Sequence, residues 1–178
     1  DAGPPSDGEA SSTATTEPES EEDFLKLEPA ATDAYVFVAN PDRATVTRIS
    51  VPGLQVETRA VGAGPVAVAT TEDYTRAVTL NVDADSMSVI DAATFGVTDV
   101  PIRENLNQLS LSPDGRWAMA WYDPDADDEG QNEGVHSFNE VSFVRLDTAV
   151  HTPMAGGFNP RGVRWTPDGY KALVVSDG

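Results

Sequence analysis

The segment “LNQLSLSPDGRWAMAWY”, residues 106–122, contains the pattern from which the fold can be inferred. Leu109 and Leu111 stand two residues apart, which places both side chains on one face of a β-strand. The Pro-Asp-Gly sequence that follows is typical of a tight turn, because proline fixes φ at the second turn position and glycine tolerates the reversal. A second apolar segment, “RWAMAWY” (116–122), comes directly after the turn. The stretch therefore predicts two short antiparallel strands joined by a hairpin turn.

The same pattern recurs along the chain at a nearly fixed spacing. “PVAVATTEDYTRAVTLNV” (65–82) aligns with it at an offset of 41 residues, with “TEDY” in place of “SPDG”. “PRGVRWTPDGYKALVVS” (160–176) aligns with it 54 residues further on. Further short strands follow the hairpins, as in “MSVIDA” (87–92) and “GVTDVPI” (96–102).

Four short antiparallel strands per about 40–45 residues indicate a β-propeller blade. A tandem β-sandwich also has closely spaced strands, but it is not expected to repeat turn for turn with a fixed step. We therefore predict an all-β fold, a β-propeller of four-stranded antiparallel blades.

Three segments identify the kind of repeat more closely. They are “YVFVAN” (35–40), “SMSVID” (86–91) and “SFVRLD” (142–147), which accompany the Pro-Asp-Gly turns. In these segments the chain resembles the Tyr-Val-Thr-Asn (YVTN) family of propeller repeats. The resemblance covers residues 34–178 and implies that the strand before each turn is the innermost of its blade. It leaves the function open, because the superfamily includes lactonases, surface-layer proteins, haem and quinone enzyme domains and plain binding scaffolds.

The repeats give about three and a half blades, whereas propellers generally have four to eight. The first unit is expected to lack its inner strand, and the last stops at “VVSDG” (174–178). Open ends of this kind would leave unpaired strand edges. We therefore expect an incomplete ring, the N-terminal part of a longer propeller. The alternative is self-association of two half-rings.

Composition sets limits on the partners. Residues 1–33 form an acidic segment rich in Ser, Thr and Pro, which predicts a disordered linker before the propeller. The net charge of −19 excludes nucleic acid as a partner, because phosphates require a basic face.

No run of apolar residues is long enough for a transmembrane segment. A leader of this composition suits a membrane tether at the N-terminus, such as a lipid anchor. We thus expect an extracytoplasmic location, which is periplasmic, cell-surface or secreted.

The third repeat carries an insertion between its second and third strands, and this insertion is strongly acidic. In propellers such loops emerge around the mouth of the central channel, where ligands usually bind. Ca²⁺ prefers six to eight oxygen ligands, and the spacing of these carboxylates can surround one ion, although the EF-hand consensus is not met. The alternatives are a solvated loop and a docking site for a basic partner. The candidate Ca²⁺ ligands are Asp123, Asp125, Asp127, Asp128 and Glu129.

A second group of residues is expected on the same face and would form a ligand surface for a protein or a glycan. Its members are Arg103, Asn105, Asn107, Arg161, Trp121 and Tyr122. Trp121 and Tyr122 could stack on a sugar. No catalytic residue can be assigned, because the chain has none of the common nucleophile, zinc-protease or phosphate-loop motifs. The sequence therefore favours an exported binding scaffold. The alternatives are a lactonase-like or other metal-assisted hydrolase, and a surface-layer or adhesion protein.

Overall fold

A computed structural model describes residues 27–126 and 139–177. These residues form short β-strands arranged as three four-stranded sheets and one two-stranded sheet. The strands are β1 (Ala30–Ala31), β2 (Tyr35–Asn40), β3 (Thr45–Ser50), β4 (Val56–Ala60), β5 (Pro65–Thr70), β6 (Arg76–Asn81), β7 (Ser86–Asp91), β8 (Val97–Pro101), β9 (Gln108–Leu111), β10 (Trp117–Trp121), β11 (Glu140–Arg145), β12 (Val150–Ala155), β13 (Pro160–Trp165) and β14 (Ala172–Ser176).

Each sheet is one propeller blade whose strands pair antiparallel in chain order. Blade 1 contains β1 to β4, blade 2 contains β5 to β8, blade 3 contains β9 to β12, and blade 4 contains β13 and β14. The strand before each turn is the first of its sheet, and the first strands of neighbouring blades 1, 2 and 3 contact one another. This arrangement confirms the predicted β-propeller of four-stranded antiparallel blades.

The prediction that the first unit lacks its inner strand is wrong. Ala30 and Ala31 pair with Phe37 and Val36 and occupy the innermost position of blade 1. The Thr70 hydroxyl donates to the Ala31 carbonyl at 2.9 Å, which joins this strand to blade 2. Two alanines carry no alternating pattern, so this strand has no signal in the sequence. The described structure therefore includes a strand within the segment 1–33.

The blades pack face to face, and apolar side chains fill the space between them. Between blades 1 and 2 the buried residues are Phe37, Val46, Val61, Ala77, Ile90, Ala92 and Phe95. Between blades 2 and 3 they include Val78, Leu80, Met87, Ala118, Ala120 and Val144. Between blades 3 and 4 they are Met119, Trp121 and Val141, with Val163, Trp165 and Val174 packed against them. Alternate residues of each second strand thus face opposite neighbours, as the period of a strand requires.

The turns between the first two strands of blades 2, 3 and 4 share one hydrogen-bond pattern. In blade 3 the Ser112 hydroxyl donates to Asp114 Oδ1 at 2.6 Å, and the Trp117 N–H donates to Ser112 Oγ at 2.9 Å. The equivalent hydroxyls of Thr71 and Thr166 donate to Asp73 and Asp168. The “TEDY” turn is therefore built like the Pro-Asp-Gly turns, although it lacks both proline and glycine.

Tyr74 takes the place of the glycine in that turn, with φ at 60°, and half of its surface is exposed. A side chain in the left-handed region costs about 1 kcal/mol, and glycine does not bear this cost. We expect Tyr74→Gly to raise the free energy of unfolding by about 1 kcal/mol in urea titrations. Tyr74→Ala is the control, because it removes the same ring but keeps the strained φ. Equal stabilisation by both variants would show that the ring, not the backbone, is the cause.

Blade 4 has an open side within the described residues. Phe37, Val78 and Met119 occupy equivalent positions in blades 1 to 3 and are fully buried, whereas Leu173 at that position is 61% exposed. Val175 is similarly exposed at 54%. These apolar side chains point away from blade 3, so the face has the character of a packing surface for further β-structure.

Candidate functional site

The acidic insertion begins where β10 ends, at the end of blade 3 opposite the Pro-Asp-Gly turn. A short 3₁₀ turn, Pro124–Ala126, opens it. Asp127, Asp128 and Glu129, three of the predicted Ca²⁺ ligands, lie outside the described residues. We call this end of blades 3 and 4 the mouth face.

Asn107 fixes the start of the insertion. Its Nδ2 donates to the Asp123 carbonyl at 2.9 Å, and its Oδ1 accepts from the Asp123 N–H at 2.8 Å. The Asp125 N–H donates to Asp123 Oδ1 at 3.1 Å. The side-chain amide of Asn107 thus makes the two hydrogen bonds that a neighbouring strand would make, and it fixes the backbone just after β10.

Arg161 lies at the centre of the mouth face and contacts carboxylates from two blades. Its Nη1 is 3.2 Å from Asp123 Oδ1 and also pairs with Asp125, both of blade 3. Its Nε donates to Asp177 Oδ2 at 2.9 Å in blade 4, and Asn159 Nδ2 donates to the same oxygen at 2.5 Å. The hydrogen bond with Asp177 contributes most to raising the pKa of Arg161. We call these five residues the Arg161 cluster.

A β-bulge presents Arg161 to this cluster. The pairing of β13 with β14 shifts between Pro160 and Gly162, so Arg161 has no partner in the ladder. Bulges commonly redirect a side chain at a functional site. Blade 2 has the same shift, but there the residue at the bulge is Val66. The bulge thus recurs in blades 2 and 4, and the arginine at it is particular to blade 4.

The structure brings together Asn107 and Arg161 of the predicted ligand surface with Asp123 and Asp125 of the predicted Ca²⁺ ligands. Two other members of the cluster, Asn159 and Asp177, were not assigned a role from the sequence as metal or ligand residues. Aligning Asp177 with Asp123 across the 54-residue offset would have indicated Asp177, because both follow the second strand of a blade. Within residues 27–126 and 139–177, no three acidic or histidine side chains are grouped closely enough to hold a metal ion.

Arg103 and Asn105 lie between blades 2 and 3, away from the Arg161 cluster. Arg103 Nη2 donates to Glu140 Oε1 at 3.3 Å, and its backbone N–H donates to Ser142 Oγ at 3.1 Å. The Asn105 N–H donates to Asp85 Oδ1 at 2.9 Å. The predicted ligand surface is therefore divided between two neighbouring interfaces of the propeller.

His151 contacts the same Ser142 hydroxyl as the Arg103 backbone, and we expect it to make the free energy of unfolding depend on pH. Its Nε2 lies 3.0 Å from Ser142 Oγ, and burial together with the charge of Arg103, itself paired with Glu140, lowers the pKa of His151 below 6.5. As the pH falls, His151 therefore binds a proton in the unfolded chain before it does so in the folded chain. Its contribution to the free energy of unfolding is fully present above pH 6.5 and is lost as the pH drops through 6.5 towards the folded pKa.

We expect the urea midpoint to fall between pH 7 and pH 5, and His151→Gln to reduce this fall. Asp and Glu have reference pKa values of about 3.9 and 4.3, which lie below this window, whereas histidine titrates within it. If the urea midpoint changes with pH equally in the wild type and in His151→Gln, the effect belongs to another group.

Trp121 and Tyr122 are buried, with 7% and 5% of their surfaces exposed. Trp121 packs with Met119 and Val141 between blades 3 and 4, so its ring is not presented for stacking on a ligand at the surface. It does line a cleft of about 390 Å³ between these blades, together with Arg161 and Gly162. The Trp121 Nε1 atom is buried and has no hydrogen-bond partner among the described residues.

Comparison with solved structures supports the propeller fold. Hydrazine synthase from Kuenenia stuttgartiensis superposes with a TM-score of 0.65 at 19% identity, over 92% of this chain and 45% of that one. A functionally unknown protein from Desulfotomaculum acetoxidans DSM 771 gives 0.60 at 19% identity, over 84% and 48%. The dihydro-heme d1 dehydrogenase NirN, solved in complex with DHE, gives 0.60 at 13% identity, over 84% and 32%.

These similarities concern the fold alone, because the identities are low. The chain spans less than half the length of each of the three structures. No family model and no curated protein matches the sequence. Among the described residues there is also no helix with the length and apolar character to cross a membrane.

Proposed function

We propose that this chain is part of an exported β-propeller that acts as a binding scaffold, with the mouth face of blades 3 and 4 as its recognition surface. The Arg161 cluster is the observation that carries the proposal. It joins two blades by hydrogen bonds and ion pairs at the base of the acidic insertion. Loops held on a rigid scaffold are the usual place for recognition in such folds. The residues that precede β1, 1–29, would serve as the tether, and a lipid anchor is one form it could take.

Site-specific photo-crosslinking tests this proposal, because the chain has no cysteine and a single one can be introduced. Ala126 is exposed at the mouth face, and Glu72 is exposed in a turn at the opposite end of the strands. With a photo-crosslinker on Ala126→Cys, we expect one specific adduct from an extracytoplasmic fraction of the source organism. Glu72→Cys should give none. The same adducts from both positions, or none from Ala126→Cys, would contradict recognition at the mouth face.

The loop can also be removed without breaking the repeat. Blade 2 joins its second and third strands by the short segment 82–85, so residues 124–139 can be replaced by Asp-Ala-Asp. This variant should fold with an unchanged circular dichroism spectrum and lose the adduct, with the photo-crosslinker then placed on the new alanine. An adduct that persists would place the recognition surface elsewhere.

Calcium binding is proposed as a further property of the insertion. We expect millimolar Ca²⁺ to raise Tm, and Asp125→Asn and Asp127→Asn to remove this rise. Arg161 pairs with Asp123 and Asp125, so it would compete with the ion for their oxygens. Arg161→Gln should therefore strengthen the response to Ca²⁺. If Ca²⁺ changes the Tm of neither the wild type nor Arg161→Gln, the loop has an electrostatic role only.

Metal-assisted hydrolysis is the alternative function. A lactonase-like enzyme would place its metal and substrate at the channel mouth, where the acidic insertion begins. Turnover of a simple lactone that requires Ca²⁺ and is lost in Asp125→Asn would favour it over the scaffold. A surface-layer or adhesion role would be favoured if further modules follow the propeller.

A further inference from the structure

A second cleft lies between blades 3 and 4, at the end of the strands where the Pro-Asp-Gly turns stand. It has a volume of about 510 Å³, and its walls are mostly apolar, with Trp117, Phe143 and Met154 on blade 3 and Trp165 and Tyr170 on blade 4. Phe143 and Trp165 also take part in the apolar packing between these blades, so the cleft continues that interface. We call this space the turn-end cleft.

The same place between blades 1 and 2 is filled by the turn that follows the third strand of blade 2. Phe95 in this turn is 1% exposed. The guanidinium of Arg48 lies 4.6 Å from the ring centres of both Phe95 and Tyr35. The repeat and the strand register place Trp117 and Phe143 of blade 3 at the positions of Tyr35 and Arg48 in blade 1. The turn-end cleft is therefore the position that Phe95 occupies one interface earlier.

Three apolar positions on the third strand and its following turn fill each of the two complete interfaces. They are Ile90, Ala92 and Phe95 in blade 2, and Val144, Leu146 and Ala149 in blade 3. The first position lies opposite a fully buried alanine of the second strand, which is Ala77 or Ala118. Ala172 has this position in blade 4, but it is only partly buried and lines the cleft.

The backbone edge beside the cleft is open as well. In blade 2 the Ala92 N–H donates to the Thr75 carbonyl at 2.9 Å, and in blade 3 the Leu146 N–H donates in the same way to Arg116. Tyr170 is the equivalent acceptor in blade 4, where β14 pairs only with β13 among the described residues. An open strand edge beside apolar pockets is the arrangement that β-strand addition uses.

Two other occupants fit less well. The arginines at the rim already have carboxylate partners, because Arg145 pairs with Asp147 at 2.8 Å and Arg116 lies 3.8 Å from Asp114, so the cleft does not require a small anion. A second copy that paired antiparallel through β14 would place both copies of blade 3 on one face of the joined sheet. Blade 3 extends beyond β14, since Met154 of β12 lines the cleft, and the two copies would overlap.

We propose that the turn-end cleft and the open edge of β14 bind a β-hairpin from outside residues 1–178, which adds as the third and fourth strands of blade 4. The hairpin carries an apolar residue opposite Ala172, another two residues later and a third five residues later. The aromatic walls suit an aromatic side chain at this last position, as Phe95 shows in blade 2. The site lies at the opposite end of the strands from the mouth face and is independent of it.

A synthetic peptide with the sequence of residues 86–101, the outer hairpin of blade 2, carries this pattern and provides the test. It would be titrated into the uniformly ¹⁵N-labelled chain, and the amide and indole N–H signals would be followed. The matched control peptide carries Ile90→Ser and Phe95→Ser. In the chain, Ala172→Pro removes an N–H that points away from β13, so it blocks strand addition and keeps the pairing of β14 with β13.

We expect the peptide to bind saturably with a Kd of about 0.1 mM and to shift the indole signal of Trp117. Binding should also protect the N–H groups of Ala172, Val174 and Ser176 from hydrogen exchange. The control peptide should bind the chain more than about tenfold more weakly, and Ala172→Pro should weaken binding of the 86–101 peptide by a similar factor. In sedimentation the chain without peptide should be a monomer of 18.9 kDa.

The proposal is overturned if the 86–101 peptide does not bind at about 1 mM, or if the control peptide binds equally well. Binding that Ala172→Pro leaves unchanged would also overturn it, because the hairpin would then not use the edge of β14. A dimer whose β14 is already protected without peptide would assign the edge to a second copy instead.

Discussion

Replacing Arg48 by methionine is expected to lower the free energy of unfolding by about 3 kcal/mol, because a buried guanidinium leaves several partners unpaired when it is removed. Arg48 is 8% exposed and lies between blades 1 and 2. Its Nη1 donates to the carbonyls of Ala92 and Ala93 at 2.8 Å each. The guanidinium also lies 4.6 Å from the ring centres of Tyr35 and Phe95, which adds cation–π attraction. Methionine would keep much of the packing and lose all of these polar contacts.

Glu57→Gln tests the contribution of the ion pair to stability separately from the other contacts of Arg48. Glu57 pairs with Arg48, but its side chain is 45% exposed, so water can replace its contact. Urea unfolding should therefore show a much smaller loss for Glu57→Gln than for Arg48→Met. Similar losses in both variants would mean that the surface ion pair, and not the buried carbonyls, explains the role of Arg48.

A second large effect is expected at Asn81, which is fully buried at the end of β6. Its Nδ2 donates to Ser86 Oγ at 3.1 Å and to Ser88 Oγ at 2.8 Å, and its Oδ1 accepts from Thr79 Oγ1 at 2.9 Å. Asn81→Leu would leave three buried hydroxyls without this partner. We expect a loss of about 3 kcal/mol in the free energy of unfolding.

Asn40 is the matched control, because the repeat places it at the equivalent position of blade 1. It is also buried, but among the described residues its Nδ2 has no partner and its Oδ1 accepts only from the Arg43 N–H at 3.1 Å. Asn40→Leu should cost about 1 kcal/mol or less, since one hydrogen bond is lost and one unpaired donor is removed. A larger loss at Asn40 than at Asn81 would contradict the importance of the hydroxyl network.

The blades could be predicted from the sequence because their determinants are local. Alternating apolar residues and turn residues at fixed offsets define each hairpin, and the 41-residue step orders the hairpins along the chain. Even the “TEDY” turn was placed correctly, since Thr71 and Asp73 provide the same hydrogen bonds as Ser112 and Asp114. The strand β1 was missed because two alanines after a proline carry no such signal.

The candidate site was predicted less completely because it depends on contacts between blades. Arg161 and Asp123 were both placed at the channel mouth, but their ion pair joins residues 38 positions apart in two sheets. The bulge that presents Arg161 depends on the pairing of β13 with β14. The burial of Trp121 likewise follows from packing between blades. Periodicity along one strand contains none of this information.

Residue-resolved amide hydrogen exchange of the chain tests the blade architecture most directly. The strands β6 and β10 have partners on both sides, so every backbone N–H in them should be protected. The strand β14 pairs only with β13 among the described residues, so protection there should alternate, with every second N–H exchanging freely. Such a result would establish three complete blades and a fourth with an open edge. Continuous protection along β14, or alternating protection along β6 and β10, would contradict this architecture.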